Sequence, residues 1–149
     1  MDYIQFLRQY IGHRPILMVG AATLIVDDEN HLLLLKRSDS GCWGPPGGGV
    51  ELGEVVEAAA RRETLEETGL EIGEMPLFGV FSGQELYYKY PNGDEVYNVT
   101  IIYITSDWRG EVRLNDEHTE SRWFAVTELP ENISPPIKPV MERFIEKYG

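Results

Sequence analysis

Glu63, Glu66 and Glu67 crowd into the stretch "RRETLEETGL", just ahead of Gly69. Read as a helix, residues three and four apart are neighbours, so these carboxylates share a face and repel by roughly 0.2–0.5 kcal/mol per pair. They also occupy the last turn, the negative end of the helix dipole, where Lys or Arg is preferred. Arg62 lies four residues before Glu66 and screens it, whereas Glu63 and Glu67 have no Lys or Arg three or four residues away. A solvated acidic face is one reading of this pattern. A bound divalent cation is the other, and it removes both penalties at once, since Mg²⁺ takes oxygen ligands from one or two carboxylates, waters and substrate phosphates. At 100° per residue Ala59 and Ala60 fall with the acids, and Ala58 and Leu65 fall opposite, on the side expected to face the core.

The helix is preceded by a glycine loop, "SDSGCWGPPGGGVELGE". Gly44, Gly47, Gly48 and Gly49 permit close backbone approach, and a loop that runs into a helix can offer N–H groups to an anion. Neither GxxxxGK[ST] nor a GxGxxG after a strand is present, so this is not one of the common nucleotide-binding loops. A plain tight turn remains an alternative reading of the glycines alone.

The elements that must position this loop and helix follow from pattern. "MDYIQFLRQYIGHRP" has helical apolar spacing and no unbroken apolar run, which predicts a short amphipathic helix over 1–15. "PILMVGAATLIVDD" reads as a strand, and "HLLLLKR" as its antiparallel partner across the turn-like "DDEN". The acidic helix closes at Gly69. "MPLFGVFSG", "EVYNVTIIYITSDW" and "SRWFAVTEL" read as strands, with Asn92-Gly93 as a hairpin turn, and "PVMERFIEKYG" as a terminal helix. Strands dominate, with helices at both ends and in the middle, which predicts an α+β fold with helices covering a mixed sheet.

The 149 residues suit one domain, and 25 acidic against 13 basic residues give a formal charge of -12. Such a surface repels DNA and anionic membranes, so no extended nucleic-acid binding and no membrane are expected; a small anionic ligand needs a local cation. The single cysteine, Cys42, forbids an internal disulfide and fits a reducing, cytoplasmic setting. No run approaches the ~20 apolar residues of a membrane span.

Taken together, Gly48 to Leu70 resembles the Nudix box, GX5EX7REUXEEXGU, where U is a bulky aliphatic. Gly48, Glu54, Arg62-Glu63, Glu66-Glu67, Gly69 and Leu70 stand at the fixed positions; Thr64 occupies an aliphatic one. "WGPPGG" upstream is similar to the family's Trp-x-Leu-Pro-Gly-Gly, with Pro45 in place of Leu. The resemblance implies a single domain of 1–149 with a mixed β-sheet between helices, an α/β/α sandwich. It implies hydrolysis of a pyrophosphate bond in a nucleoside diphosphate linked to some moiety X, with Mg²⁺ or Mn²⁺. By the match, Glu63, Glu66 and Glu67 are the expected metal ligands, with a Gly47 or Gly48 carbonyl as a further one. Glu54 and Arg62 are expected to form an ion pair fixing the helix to the loop. Glu66 or Glu67 is expected at the attacking water; because some relatives use an acid from a later loop, Glu120 joins them as a catalytic candidate, with Glu117 beside it.

For the substrate, Lys36 and Arg37 end the second strand near the loop and are candidates for phosphate contact. Phe81, Tyr87, Tyr88 and Tyr90 form an aromatic cluster able to stack a base or to pack the sheet, while Trp43 and Trp123 are expected in the core or at its rim. Tyr87 and Tyr88 also stand at the distance from the box where dinucleoside-polyphosphate relatives carry a tyrosine. That favours a nucleoside triphosphate or dinucleoside polyphosphate; an ADP-ribose or nucleotide-sugar pyrophosphatase, and a nucleotide-sensing module that does not cut, are the alternatives. A homodimer is compatible with the apolar N-terminal helix, as is a helix that merely caps the sheet.

Overall fold

The structure is a computed structural model describing residues 2–149. Helix α1 (Tyr3–Ile11) begins with a capping box in which Asp2 Oδ1 accepts the Gln5 N–H at 2.7 Å and Gln5 Oε1 accepts that of Asp2. It ends at Gly12, whose φ of 63° only glycine adopts freely, so the helix is shorter than the expected 1–15.

Strand β1 (Ile16–Ile25) is central: it pairs in parallel with β8 (Glu95–Thr105) along its whole length, and at Gly20–Ala22 it takes the short antiparallel β4 (Gly47–Gly49) on its other edge. Strands β6 (Leu77–Phe81) and β7 (Tyr87–Lys89) both pair antiparallel with β8, completing this sheet. A second sheet orders β10 (His118–Phe124), β2 (Leu32–Arg37) and β3 (Trp43–Gly44), and a small ribbon joins β5 (Glu71–Ile72) to β9 (Trp108–Arg109).

The expected hairpin between β1 and β2 is therefore not formed: they share only the bridge Val26–Leu32 and then diverge into different sheets. The reason lies in Leu32 to Leu35, all fully buried. Leu32 and Leu34 pack with Ala22, Leu24 and the terminal helix α3 (Lys138–Tyr148), while Leu33 and Leu35 pack with Ile25, Leu70 and Trp108 on the opposite side. Burial on both faces, roughly 1.5–3 kcal/mol per leucine, outweighs a longer two-stranded ladder whose flank on β1 is already taken by β4.

Helix α2 (Val56–Thr68) covers the other face of β1, where Ala59 and Ala60 meet Ala21 and Met75. Helices thus lie on both sides of the strands, the α/β/α arrangement the sequence predicted. The buried face of α2 is the reverse of the expected one: Ala59, Ala60, Thr64 and Glu67 are buried, and Leu65 is exposed. The two alanines let the helix come close to β1, and the acids that share their face are carried inward with them. Thr64, at the aliphatic position of the motif, is buried and donates its hydroxyl to Thr23 Oγ1 at 3.2 Å. Gly69 terminates α2 in the left-handed region (φ 74°), its N–H on the Leu65 carbonyl.

The Asn92-Gly93 turn is present. Tyr90 and Asp94 close the β7–β8 hairpin, and Gly93 holds φ 96°.

Candidate active site

Where the two sheets splay apart they leave a cleft of about 740 Å³, well within the size of small-molecule sites. It is walled by β1, the Gly44–Gly53 loop, α2, the β7–β8 hairpin and α1. Glu63 and Glu67 project into it from α2; Arg37, Tyr88, Tyr90 and Asn98 line it as well.

The loop glycines fit the acids closely. A side chain on Gly48 would begin 2.6 Å from the Glu63 carboxyl carbon, and one on Gly47 would meet the Ala22 Cβ at 2.5 Å. The Gly47 N–H donates to Glu67 Oε2 at 3.1 Å. So the glycines serve less as a turn than as the surface against which two carboxylates are pressed.

Arg62 ties this assembly together. Its Nε and Nη2 reach both oxygens of Glu54 at 2.8 and 3.0 Å, Nη2 also donates to the Gly49 carbonyl, and Nη1 reaches Glu63 at 2.9 Å. The bidentate bond from Arg62 holds the Glu54 carboxyl down near 2, and Arg62 in turn is held firmly charged. The Glu54–Arg62 pair is the one expected from the motif.

Glu67 is different. It is 2 % exposed, and burial first, then the charge of Glu63, push its carboxyl up to about 9; the Gly47 N–H acts against that, and Glu117 adds to it. Glu63 is raised too, chiefly by burial and against the pull of Arg62. His118 Nε2 stands 3.5 Å from Glu67 Oε1, but burial and Arg37 lower the imidazole's affinity for a proton, so it gives Glu67 no full positive charge. Buried Glu67 and the partly buried Glu63 beside it, only the latter reached by Arg62, present hard oxygen donors that fit a divalent metal ion. Glu66 is not drawn into the pair: its carboxylate is half-exposed and lies 3.5 Å from Arg62 Nη1. Among the described residues no three ligand-type side chains converge at metal-holding distance.

The remaining expectations divide. Arg37 and Tyr88 line the cleft, with Asp39 gripping the Nε–Nη2 edge of the Arg37 guanidinium at 3.0 and 2.9 Å. Tyr87 does not line it: it alternates to the opposite face of the hairpin, stacks near Tyr97 and donates to Glu95. Lys36 is likewise turned away by alternation along β2, and Phe81 is core. Glu120, the later-loop candidate, pairs with Arg122 on β10, outside the cleft lining; Glu117, three residues before it, adds a smaller push to Glu67 than Glu63 does. Trp43 lies in the core, and Trp123 stacks on Trp108 at its rim. Tyr90, expected in the aromatic cluster, packs edge-on against Tyr88, whereas His118 and Asn98 are site features not expected from the sequence. For His118 a signal existed, a histidine adjoining the acids of "NDEHTES", though nothing in the sequence links it to Glu67.

Comparison with known proteins places this geometry. Among curated proteins, an ADP-ribose pyrophosphatase from Methanocaldococcus jannaschii is 37% identical over 109 residues, 71% of this chain and 61% of its own length. The asymmetrical bis(5'-nucleosyl)-tetraphosphatase of Mus musculus is 37% identical over 64% of this chain and 65% of its own length, so the chain spans less than two thirds of either relative. A MutT NUDIX hydrolase from Burkholderia pseudomallei superposes with a TM-score of 0.73 at 31% identity, covering 90% of this chain and 99% of that one. The family model described as the NUDIX domain matches residues 17–145, a span that holds the glycine loop, α2 and both sheets but excludes α1. With the loop, the paired acids and the Glu54–Arg62 clamp all falling inside that match, the chain belongs to the Nudix family.

Proposed function

We propose that this protein hydrolyses a pyrophosphate bond in a nucleoside diphosphate linked to a moiety X, with Mg²⁺ or Mn²⁺. The observation that carries the reading is the Glu63–Glu67 pair at the cleft, Glu67 buried and pushed up to about 9 beside the partly buried Glu63. Glu63 and Glu67, with Glu66 as the third carboxylate of the motif, would hold the metal, which when bound polarises phosphoryl oxygens and lowers the pKa of water. The chain's own residues set the stage for that. Gly47 fixes one oxygen of Glu67 through its N–H, and Arg62 fixes Glu63 while anchoring α2 to the loop through Glu54. Glu66 or Glu67 would take the proton from the attacking water, Glu67 from within the cleft lining and Glu66 from its half-exposed place beside Arg62.

For X, the charges around the cleft discriminate. Its Lys and Arg lining is Arg8 and Arg37, against the acids Asp2, Glu51, Glu63, Glu67 and Asp94. Arg8 is engaged by three backbone carbonyls and Asp94, and Arg37 by Asp39. A long polyphosphate would meet few free cations, which favours a single diphosphate carrying an uncharged X, as in ADP-ribose. The reading as a nucleoside triphosphate or dinucleoside polyphosphate hydrolase keeps the support of Tyr88 in the cleft.

Phosphate-product release from a panel of ADP-ribose, nucleotide sugars, nucleoside triphosphates and dinucleoside polyphosphates separates these. Turnover that needs Mg²⁺ or Mn²⁺ and disappears in Glu66→Gln and Glu67→Gln is the expected result. Tight binding of a nucleotide without turnover of any compound would point to a sensing module instead.

A further inference from the structure

Asn98 is a buried polar side chain to which the fold gives one partner. It stands on β8, 9% exposed, and its Nδ2 donates to the Leu86 carbonyl at 3.0 Å. A carbonyl only accepts, so this bond fixes which end of the amide is nitrogen. Among the described residues nothing donates to Oδ1. Yet Oδ1 is not sealed away, since Arg8 Nε is the one fully covered side-chain nitrogen or oxygen left without a partner. Asn98 lines the cleft, so the amide oxygen and the second N–H are what it offers a ligand there.

Its surroundings are aromatic and apolar. Tyr88 sits opposite Val96 in the β7–β8 register, so Tyr88 and Asn98 are diagonal neighbours on one face, roughly 7–8 Å apart. Tyr90 braces the Tyr88 ring edge-on at 4.9 Å. A base stacked on Tyr88 therefore turns an edge toward Asn98. From Asn98 to Gly49, two strands across and two residues along, strand spacing and rise give about 12 Å, a span that a nucleoside with its first phosphates bridges.

We propose that Asn98 is a specificity-determining residue that reads adenine: Oδ1 accepts from the exocyclic amino group while Nδ2 donates to the adjacent ring nitrogen, with the base stacked on Tyr88. The inference rests on the reading of the cleft as a nucleotide site. An asparagine amide matches adenine's donor–acceptor pair, whereas hypoxanthine and guanine set a carbonyl oxygen against Oδ1, acceptor facing acceptor.

The test measures dissociation constants of ADP and IDP by calorimetry, with Mg²⁺, for wild type, Asn98→Leu and Asn98→Ser. Wild type should bind ADP about tenfold tighter than IDP or better, and both variants should bring the ratio close to one. Equal binding by wild type, binding of neither nucleotide, or an unchanged ratio in the variants would each overturn the proposal. Should Asn98→Leu fail to fold, shown by its melting curve, the smaller polar Asn98→Ser carries the comparison. Because binding is read and not turnover, the two readings fail separately. An ADP preference without hydrolysis of any compound removes the catalytic reading alone, and hydrolysis with no base preference removes this one alone.

Discussion

The two walls of the cleft are built on opposite electrostatic terms. On the α2 wall, burial and mutual repulsion hold Glu67 up to about 9, with Glu63 raised alongside it. Toward the hairpin the two arginines lining the cleft are matched: Arg8 with Asp94, Arg37 with Asp39, and Asp94 is lowered by its bond from His13 and by Arg8. One wall is incomplete without a cation, and the other is complete before any ligand arrives. The contrast teaches that chemistry belongs to the unsatisfied side, where charge must enter, and recognition to the satisfied side, where shape and hydrogen-bonding edges are already set.

The sharpest way to break that division is Glu67→Gln. The substitution keeps the volume and removes the group's capacity to ionise and hold a cation, so turnover should fall by about 10²–10⁴-fold, the range lost with a positioned catalytic group. Circular dichroism should meanwhile show an intact fold. A kcat within a few-fold of wild type would mean the buried carboxylate is structural and the division is wrong.

Next in size is Gly48→Ala. Its added methyl would start 2.6 Å from the Glu63 carboxyl carbon, and forcing a group into filled space costs about 1–3 kcal/mol. Denaturant unfolding should show a loss in that range, and activity should drop because Glu63 is the group displaced. Alanine at Gly53, where φ is 77° but no neighbour lies within 4 Å, should cost stability through backbone strain and leave turnover nearly unchanged.

The acidic wall was largely legible in the sequence, because its parts are local. The helix, its glycine stop, the Glu54–Arg62 pair and the glycine loop all lie within Gly48–Leu70 and one turn upstream. What misled was amphipathicity. Leu65 looks like a core residue and is exposed, because two alanines allow a closer approach to β1 than leucine would, and that approach carries Glu67 inward. The β1–β2 pairing was misread for a related reason: a run of four leucines buried on both faces carries no alternation to indicate which neighbour it takes.

Titration sharpens the comparison from another direction. Glu67 in the fold protonates near 9 against an ordinary 4.5, so the neutral form is the one the fold favours. Stability from this group is fully present below about 4.5 and is lost as pH rises toward about 9. The groups facing it are Glu63, Glu117 and His118, with Arg62 reaching Glu63; none supplies a full positive charge to Glu67 itself. Metal-free protein should therefore melt a few degrees lower at pH 9 than at pH 6, and Mg²⁺ should raise the melting temperature more at pH 9, with proton release on binding. Glu67→Gln should flatten the pH dependence. A wild-type melting temperature that climbs between those pH values would contradict the assignment.

The smallest effect tests the hairpin wall, and it turns on alternation. Tyr87 and Tyr88 are adjacent, and sequence spacing alone treats them alike, but side chains along a strand point to opposite faces. Tyr88 lines the cleft, whereas Tyr87 faces Tyr97 and donates to Glu95 on the other side. Which of the pair faces inward depends on the register of β7 against β8; the Asn92-Gly93 turn signals a hairpin in the sequence, but the register appears only in the folded pairing. Removing a stacking platform costs about 1–3 kcal/mol per base, so Tyr88→Ala should raise KM several-fold to about a hundredfold with kcat little changed. Tyr87→Ala should leave KM near wild type and register only as a modest loss of stability. If both substitutions raise KM equally, the register of this hairpin is not what presents the base to the cleft, and the matched wall would owe its recognition to Arg37 and the loop instead.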